Sequence, residues 1–92
     1  MRSIFKYHLP IADRVSVPMP RGAQVISIQE QHGQLTVWAL VNSEQAREPV
    51  SFRICGTGLP AEDVGAGYFI GTVQMPNGLV WHVFLEHDGG GF

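Results

Sequence analysis

The sequence predicts an all-β protein, a small single-domain antiparallel sandwich or barrel of about seven strands. Short runs in which apolar and polar residues alternate recur along the chain, and no segment longer than about ten residues repeats with the period of a helix. Two turn signals, His32-Gly33 and Asn77-Gly78, each join two such runs into a hairpin. We expect one domain over residues 1–87 and a flexible tail at 88–92.

The first two strands are predicted at Ser3–Leu9 and Asp13–Met19. Pro10 ends the first strand, because proline has no backbone N–H to donate to a neighbouring strand. Pro18 lies inside the second strand, which therefore belongs at the edge of a sheet.

The first hairpin spans Ala23–Asn42 and has the clearest pattern in the chain. A two-residue loop at His32-Gly33 sets the register, and the predicted cross-strand pairs are Gln31 with Gln34, Ile28 with Val37, and Ile26 with Ala39. One face of the hairpin is apolar throughout, and we expect it in the core: Ile26, Ile28, Leu35, Val37, Ala39 and Val41. Trp38 lies on the opposite, mixed face, which makes it the aromatic residue most suited to contact a partner.

The second half of the chain predicts a strand, a long loop and another hairpin. Ser43–Glu48 is polar and predicts an open loop or one helical turn, and a strand follows at Pro49–Cys55. Gly56–Gly67 is too rich in glycine for regular structure, and connections of this length are often functional. The second hairpin joins Tyr68–Met75 to Leu79–Glu86 through Asn77-Gly78. A two-residue loop there predicts the pairs Ile70 with Leu85, Thr72 with Val83, Gln74 with Trp81, Val73 with His82, and Gly71 with Phe84.

Composition narrows the classes of partner. The net charge is −2 and charged residues make up 15% of the chain, so we expect no nucleic-acid binding, which usually requires a basic surface. Sparse charge on a short chain predicts apolar surface covered by a partner, most simply in a homo-oligomer of two or more copies.

No apolar run approaches the roughly 18 residues of a membrane span, and there is no signal-peptide pattern, so we expect no membrane association. The single Cys55 fits a reducing compartment.

The candidate binding site lies where the fifth predicted strand, Pro49–Cys55, enters the long loop. Gly56, Thr57 and Gly58 could let backbone N–H groups converge on an anion, and Arg53 could add a planar pair of donors for a phosphate or carboxylate. The structural alternative is a tight turn at the end of a strand. Glu62 and Asp63 in the same loop are interpreted as solvated charges.

Catalysis and metal binding have little support in the sequence. The four histidines lack the spacing of metal ligands, so we expect no metal and no cofactor. Cys55 and His82 form the one pair worth considering as nucleophile and base, but a single cysteine in a strand is usually a small buried residue. We therefore expect no enzyme activity.

Four segments carry a resemblance to a known group: IFKYHLP, VISIQEQHGQLTVWALV, FRICGTGLP and YFIGTVQMPNGLVWHVF. The chain resembles a family of small, functionally uncharacterised proteins encoded by tailed bacteriophages and prophages. The resemblance implies action in the cytoplasm of an infected bacterium. Three functions stay open: a non-enzymatic accessory protein that binds a host component and inhibits an antiviral defence system, an oligomer that sequesters a nucleotide or other phosphate-bearing signal, and a minor structural protein of the virion.

Overall fold

The computed structural model describes residues 1–65 and 68–86 and has seven strands in these ranges. The strands are β1 (Arg2–Leu9), β2 (Arg14–Pro20), β3 (Gln24–Gln31), β4 (Gln34–Asn42), β5 (Arg47–Gly56), β6 (Phe69–Gln74) and β7 (Val80–Glu86). They form two antiparallel sheets, with the orders β1-β4-β3 and β2-β5-β7-β6. The predicted all-β class is confirmed, with the strands divided between two sheets. The predicted tail at 88–92 and the preceding His87 lie outside the described residues.

The core lies between the inward faces of the two sheets. The first sheet contributes Leu9, Ile28, Leu35, Val37, Ala39 and Val41, and the second contributes Val15, Met19, Phe52, Ile54, Val73 and Val83. Alternate residues of each strand supply this core, as the pattern predicts for strands with one buried face. Burial of one large apolar side chain contributes about 1.5–3 kcal/mol, so these layers supply much of the driving force for folding. No helix in the described part of the chain is long and apolar enough to cross a membrane.

The first hairpin has the predicted two-residue loop. His32 and Gly33 both have positive φ, at 53° and 80°, as a type I′ turn requires. The backbone N–H of Gly33 also donates to the Glu30 carboxylate at 2.6 Å. The predicted pairs of Gln31 with Gln34 and Ile28 with Val37 are confirmed.

A β-bulge at Ile26 overturns the predicted pairing at the open end of this hairpin. Val25 pairs with Ala39 and Ser27 pairs with Trp38, so Ile26 is an extra residue without a partner in the register. Ile26 is 52% exposed, and its predicted pairing with Ala39 and its predicted place in the core are both wrong. Val25 packs against the core instead. Alternation alone cannot locate a bulge where two apolar residues follow one another.

The second hairpin differs from the prediction by one residue. Its loop has three residues, Pro76-Asn77-Gly78, and the backbone N–H of Met75 donates to the carbonyl of Leu79 at 2.8 Å. The predicted two-residue loop would need a backbone N–H at Pro76, which proline lacks. The hydrogen bond therefore moves to Met75, and Gly78 takes the left-handed conformation with φ 89°.

This shift changes every predicted pair of the second hairpin. The observed pairs are Phe69 with Phe84, Gly71 with Val83, Thr72 with His82, Val73 with Trp81, and Gln74 with Val80. A second bulge leaves Ile70 without a partner, so the predicted pairs of Ile70 with Leu85, Thr72 with Val83, Gln74 with Trp81, Val73 with His82 and Gly71 with Phe84 are all wrong. The observed register thus places Thr72, rather than the predicted Val73, beside His82.

The remaining strands follow the prediction closely. β2 is an edge strand, and Pro18 lies within it, as its missing N–H requires. The polar segment after β4 makes a turn at Ser43–Glu44 and then enters β5 at Arg47, so the open loop is correct and the helical turn is not.

Candidate functional site

The loop after β5 packs over the outer face of the four-stranded sheet. On that face the strand registers align Arg14, Arg53, Phe84 and Phe69 in one row across β2, β5, β7 and β6. Phe52 and Ile54 on either side of Arg53 are buried in the core, so Arg53 points to the outer face, as the alternation predicts.

Asp63 of this loop is held between two arginines. Its Oδ1 accepts a hydrogen bond from Nη2 of Arg53 at 2.5 Å, and its Oδ2 accepts one from Nη2 of Arg14 at 2.6 Å. Arg53 also donates from Nη1 to the carbonyl of Asp13 at 3.1 Å, and Nε of Arg14 contacts the Glu86 carboxylate at 3.2 Å. Asp63 is an exposed loop residue, as interpreted from the sequence, but it is paired with two arginines, which the sequence did not predict.

These contacts keep both partners ionised. The hydrogen bond from Arg53 lowers the pKa of Asp63 below its ordinary value of 3.8, with a further contribution from Arg14. The same hydrogen bond raises the pKa of the Arg53 guanidinium. The Arg53 side chain is 11% exposed, and its Nε–H is buried without a hydrogen-bond acceptor.

A cavity of about 200 Å³ lies beside Arg53 and Asp63. Its lining includes Tyr68, Phe84 and Glu86. The lining thus combines two aromatic residues with an arginine and two acidic residues, a mixture of apolar and polar groups that suits a small polar ligand.

The glycines and threonine predicted at this corner form a turn. The backbone N–H of Leu59 donates to the carbonyl of Gly56 at 3.1 Å, and Gly58 has φ 86°, a conformation that favours glycine. Gly56 has little room for a side chain, because a Cβ there would lie 3.0 Å from Cδ1 of Leu59 and 3.1 Å from Cζ3 of Trp81, so these side chains would have to shift by a few tenths of an ångström. The backbone N–H of Thr57 donates to the Val80 carbonyl at 3.3 Å. The N–H of Thr57 and that of the following Leu59 therefore serve backbone contacts.

Thr57 belongs to a different cluster from Arg53. Its Oγ1 lies 2.7 Å from Nε2 of His82, and Nδ1 of His82 lies 2.9 Å from Oγ1 of Thr72. The structure therefore joins Thr57 to His82 and joins Arg53 to Asp63, on neighbouring rows of the same sheet face. Trp38 lies on the other sheet, half-buried and paired with Lys6 and Ser27.

The pair considered for catalysis is adjacent across two strands. Cys55 and His82 are register partners in β5 and β7, and Cys55 is buried. Both ring nitrogens of His82 contact threonine hydroxyls, so the ring is oriented by Thr57 and Thr72. This is not the arrangement of a base that activates a neighbouring thiol.

A second surface lies where the edges of the two sheets meet. Ile26, Tyr68 and Phe69 are 52%, 41% and 48% exposed. They line a groove of about 570 Å³ between β3 and β6, the β3–β6 groove, together with Ala23, Gln24, Val25, Ser27, Ile70 and Leu85. No residue of this lining is charged. Phe69 is braced by Phe84, with ring centroids 5.5 Å apart and planes at 61°.

Comparison with known protein families identifies the family of this chain. The model of a domain of unknown function, DUF7352, matches residues 1–90. The chain belongs to the DUF7352 family. No curated protein and no solved structure matches the DUF7352 chain. The phage origin that the four segments imply stays a prediction.

Two features of the DUF7352 site could not be found from its sequence. The role of Asp63 depends on the β2–β5 register, which brings Arg14 beside Arg53. The β3–β6 groove depends on two bulges. Within residues 1–65 and 68–86 no three His, Cys, Asp or Glu side chains are close enough together to hold a metal ion.

Proposed function

We propose that this DUF7352 chain is a non-enzymatic phage accessory protein that binds a host protein in the cytoplasm of the infected bacterium, and that the β3–β6 groove is its contact surface. The observation that carries the proposal is the uncharged lining of this groove with three large apolar side chains at 41–52% exposure. Exposed apolar patches of this kind are unfavourable in water and commonly mark sites of protein association.

The composition of the groove suits a protein partner. Tyr and Phe are enriched at the centres of protein interfaces, where they bury large area at a small cost in conformational entropy. The side chains of Tyr68 and Phe69 provide this aromatic centre, and Ile26 lies opposite them on β3.

The groove favours recognition through side chains. β3 and β6 are edge strands, but bulges at Ile26 and Ile70 interrupt the regular ladder of both edges. A bulged edge is a poor template for the addition of another strand. The expected partner surface therefore carries an uncharged apolar cluster that fits between Ile26 and the two aromatic rings.

The phage setting is supported by the resemblance of the four sequence segments. Accessory proteins of this size act most directly by occupying a host protein, and a component of an antiviral defence system is the target we propose. The contacts of His82 with two threonines, rather than with the Cys55 thiol, support binding over catalysis.

The test compares Ile26→Asp with Leu79→Asp. Both residues are about half-exposed, at 52% and 51%, so neither charge should unfold the protein. Tagged protein is used to capture a partner from bacterial lysate, and the purified partner is then titrated by calorimetry. We expect Ile26→Asp to weaken binding at least tenfold, about 1.4 kcal/mol, and Leu79→Asp to bind as the wild type does.

Two results would contradict the proposal. One is a captured partner whose affinity is the same for Ile26→Asp and the wild type. The other is a wild-type oligomer that Ile26→Asp converts to monomer, because the groove would then be covered by a second copy of the chain.

A further inference from the structure

We propose that Arg14 and Arg53 form the phosphate site of a nucleotide carrying a singly charged phosphodiester, and that the Asp63 carboxylate holds the place of the phosphate. This site lies on the outer face of the four-stranded sheet and goes beyond the proposed protein contact at the β3–β6 groove.

The geometry is that of an oxyanion site. Two guanidinium groups from register partners on adjacent strands each place Nη2 at 2.5–2.6 Å from one oxygen of the same carboxylate. Paired arginines recognise carboxylate and phosphate through the same planar sets of N–H donors. An external phosphate can therefore exchange with Asp63, whose side chain is 48% exposed.

A carboxylate leaves this site incomplete. Its two oxygens are both used, one on each arginine, and Nε–H of Arg53 is buried without an acceptor. A buried donor that lacks an acceptor is destabilising. A phosphodiester group is tetrahedral and carries two ester oxygens besides its two non-bridging ones, so one oxygen can lie against Nε while others stay on Nη2 of Arg53 and of Arg14.

The surrounding charges select the type of phosphate. With Asp63 displaced, Arg14 and Arg53 face the remaining carboxylate of Glu86, which contacts Nε of Arg14 at 3.2 Å. Asp13 is a further negative charge acting on Arg53, so the set of two arginines and two carboxylates has little net charge. A phosphodiester, with a single negative charge, is therefore better tolerated than a terminal phosphate, which carries about −1.5 to −2 near neutral pH.

The cavity beside Arg53 and Asp63 suits the nucleobase of the proposed ligand. It measures about 200 Å³, and Tyr68 and Phe84 form part of its wall next to Arg53. Nucleobases stack on aromatic side chains with little dependence on sequence. Phosphate and base would thus occupy neighbouring parts of one site.

The experiment measures binding of 3′,5′-cyclic AMP and 3′,5′-cyclic GMP by calorimetry, with inorganic phosphate and adenosine as partial ligands. The main variant is Asp63→Ala, and Glu62→Ala is the matched control that removes a neighbouring loop charge. We expect Asp63→Ala to bind at least one cyclic nucleotide tenfold or more tightly than the wild type, because the competing carboxylate is gone. Glu62→Ala should bind as the wild type does.

A second substitution tests the role of Arg53. Arg53→Lys, made in the Asp63→Ala protein, keeps the charge but removes the Nε–H donor, and should lower the affinity at least tenfold. Circular dichroism and thermal melting verify that each variant is folded, and Asp63→Asn replaces Asp63→Ala if the latter is not.

Three outcomes would overturn the proposal. The first is that neither cyclic nucleotide binds the wild type or the Asp63 variants at millimolar concentration. The second is that the affinity does not respond to Asp63→Ala or to Arg53→Lys. The third is that inorganic phosphate binds as tightly as the cyclic nucleotides, which would show an adventitious ion only.

Discussion

Gly71 of β6 lies directly against Ile28 of β3, where the edges of the two sheets meet. A Cβ on Gly71 would be 2.8 Å from Cγ2 of Ile28, which is closer than non-bonded carbon atoms approach one another in proteins. Ile28 is itself buried at 9% exposure and paired with Val37, so it has little room to move. The missing side chain at Gly71 therefore allows β3 and β6 to pack together, a role that glycine often has inside a strand.

Gly71→Ala should destabilise the protein by about 1–3 kcal/mol, the usual cost of forcing an extra methyl group into a packed core. Urea denaturation followed by tryptophan fluorescence measures this change. Gly65→Ala is the matched control, because a Cβ at Gly65 has open space around it. Equal stability of the two variants would show that β3 and β6 do not pack as described.

Ile28→Asp and Ile26→Asp should have opposite outcomes although the two positions are separated by one residue. Ile28 is in the core, so an aspartate there buries an unpaired charge and should abolish cooperative unfolding at 25 °C. Ile26 is in a bulge and 52% exposed, so Ile26→Asp should melt within a few degrees of the wild type. Thermal melts followed by circular dichroism compare them, and a folded Ile28→Asp would refute the register of the first hairpin.

The ion pairs of Asp63 should make part of the stability depend on pH in the acid range. The pKa of Asp63 is lowered in the folded state, so the folded protein resists its protonation. Its contribution is therefore fully present above the ordinary pKa of 3.8 and is lost as the pH falls through the lower, folded-state pKa.

The measurement is the difference in melting temperature between the wild type and Asp63→Asn. This difference should be constant from pH 7 to about pH 5 and should shrink below the ordinary pKa of the carboxyl. Glu62→Gln serves as the control for removal of a loop charge. A difference that grows on acidification would contradict the sign of the pKa shift.

A homo-oligomer stays a prediction, and the outer face of the three-stranded sheet is the surface we expect it to use. Ile4 is 58% exposed and pairs with Leu40, next to the half-buried Trp38. Light scattering should give a mass above that of the 10.1 kDa chain, and Ile4→Arg should return it to the monomer value. A wild-type protein that stays monomeric at high concentration would refute this.

Local patterns in the sequence were enough for the strands and for one of the two turns. Alternation located all seven strands to within a few residues, because the faces of a β-strand repeat every two residues. His32-Gly33 determined the first loop, because glycine and histidine tolerate positive φ. The Asn77-Gly78 dipeptide predicted a two-residue loop, but the preceding Pro76 lacks the N–H that such a loop needs. The sequence therefore already contained the reason for the three-residue loop.

Only the tertiary structure decided which side chains meet on the outer sheet face and which are exposed at the sheet edges. Arg53 was recognisable as an outward-facing arginine from the alternation of β5. Its pairing with Asp63, and the second arginine at Arg14, follow from the β2–β5 register and from the path of a glycine-rich loop. The exposure of Ile26 follows from a bulge where apolar residues are consecutive. Periodicity specifies which face of a strand is buried, but only packing between distant strands specifies which residues meet across a register and where that register breaks.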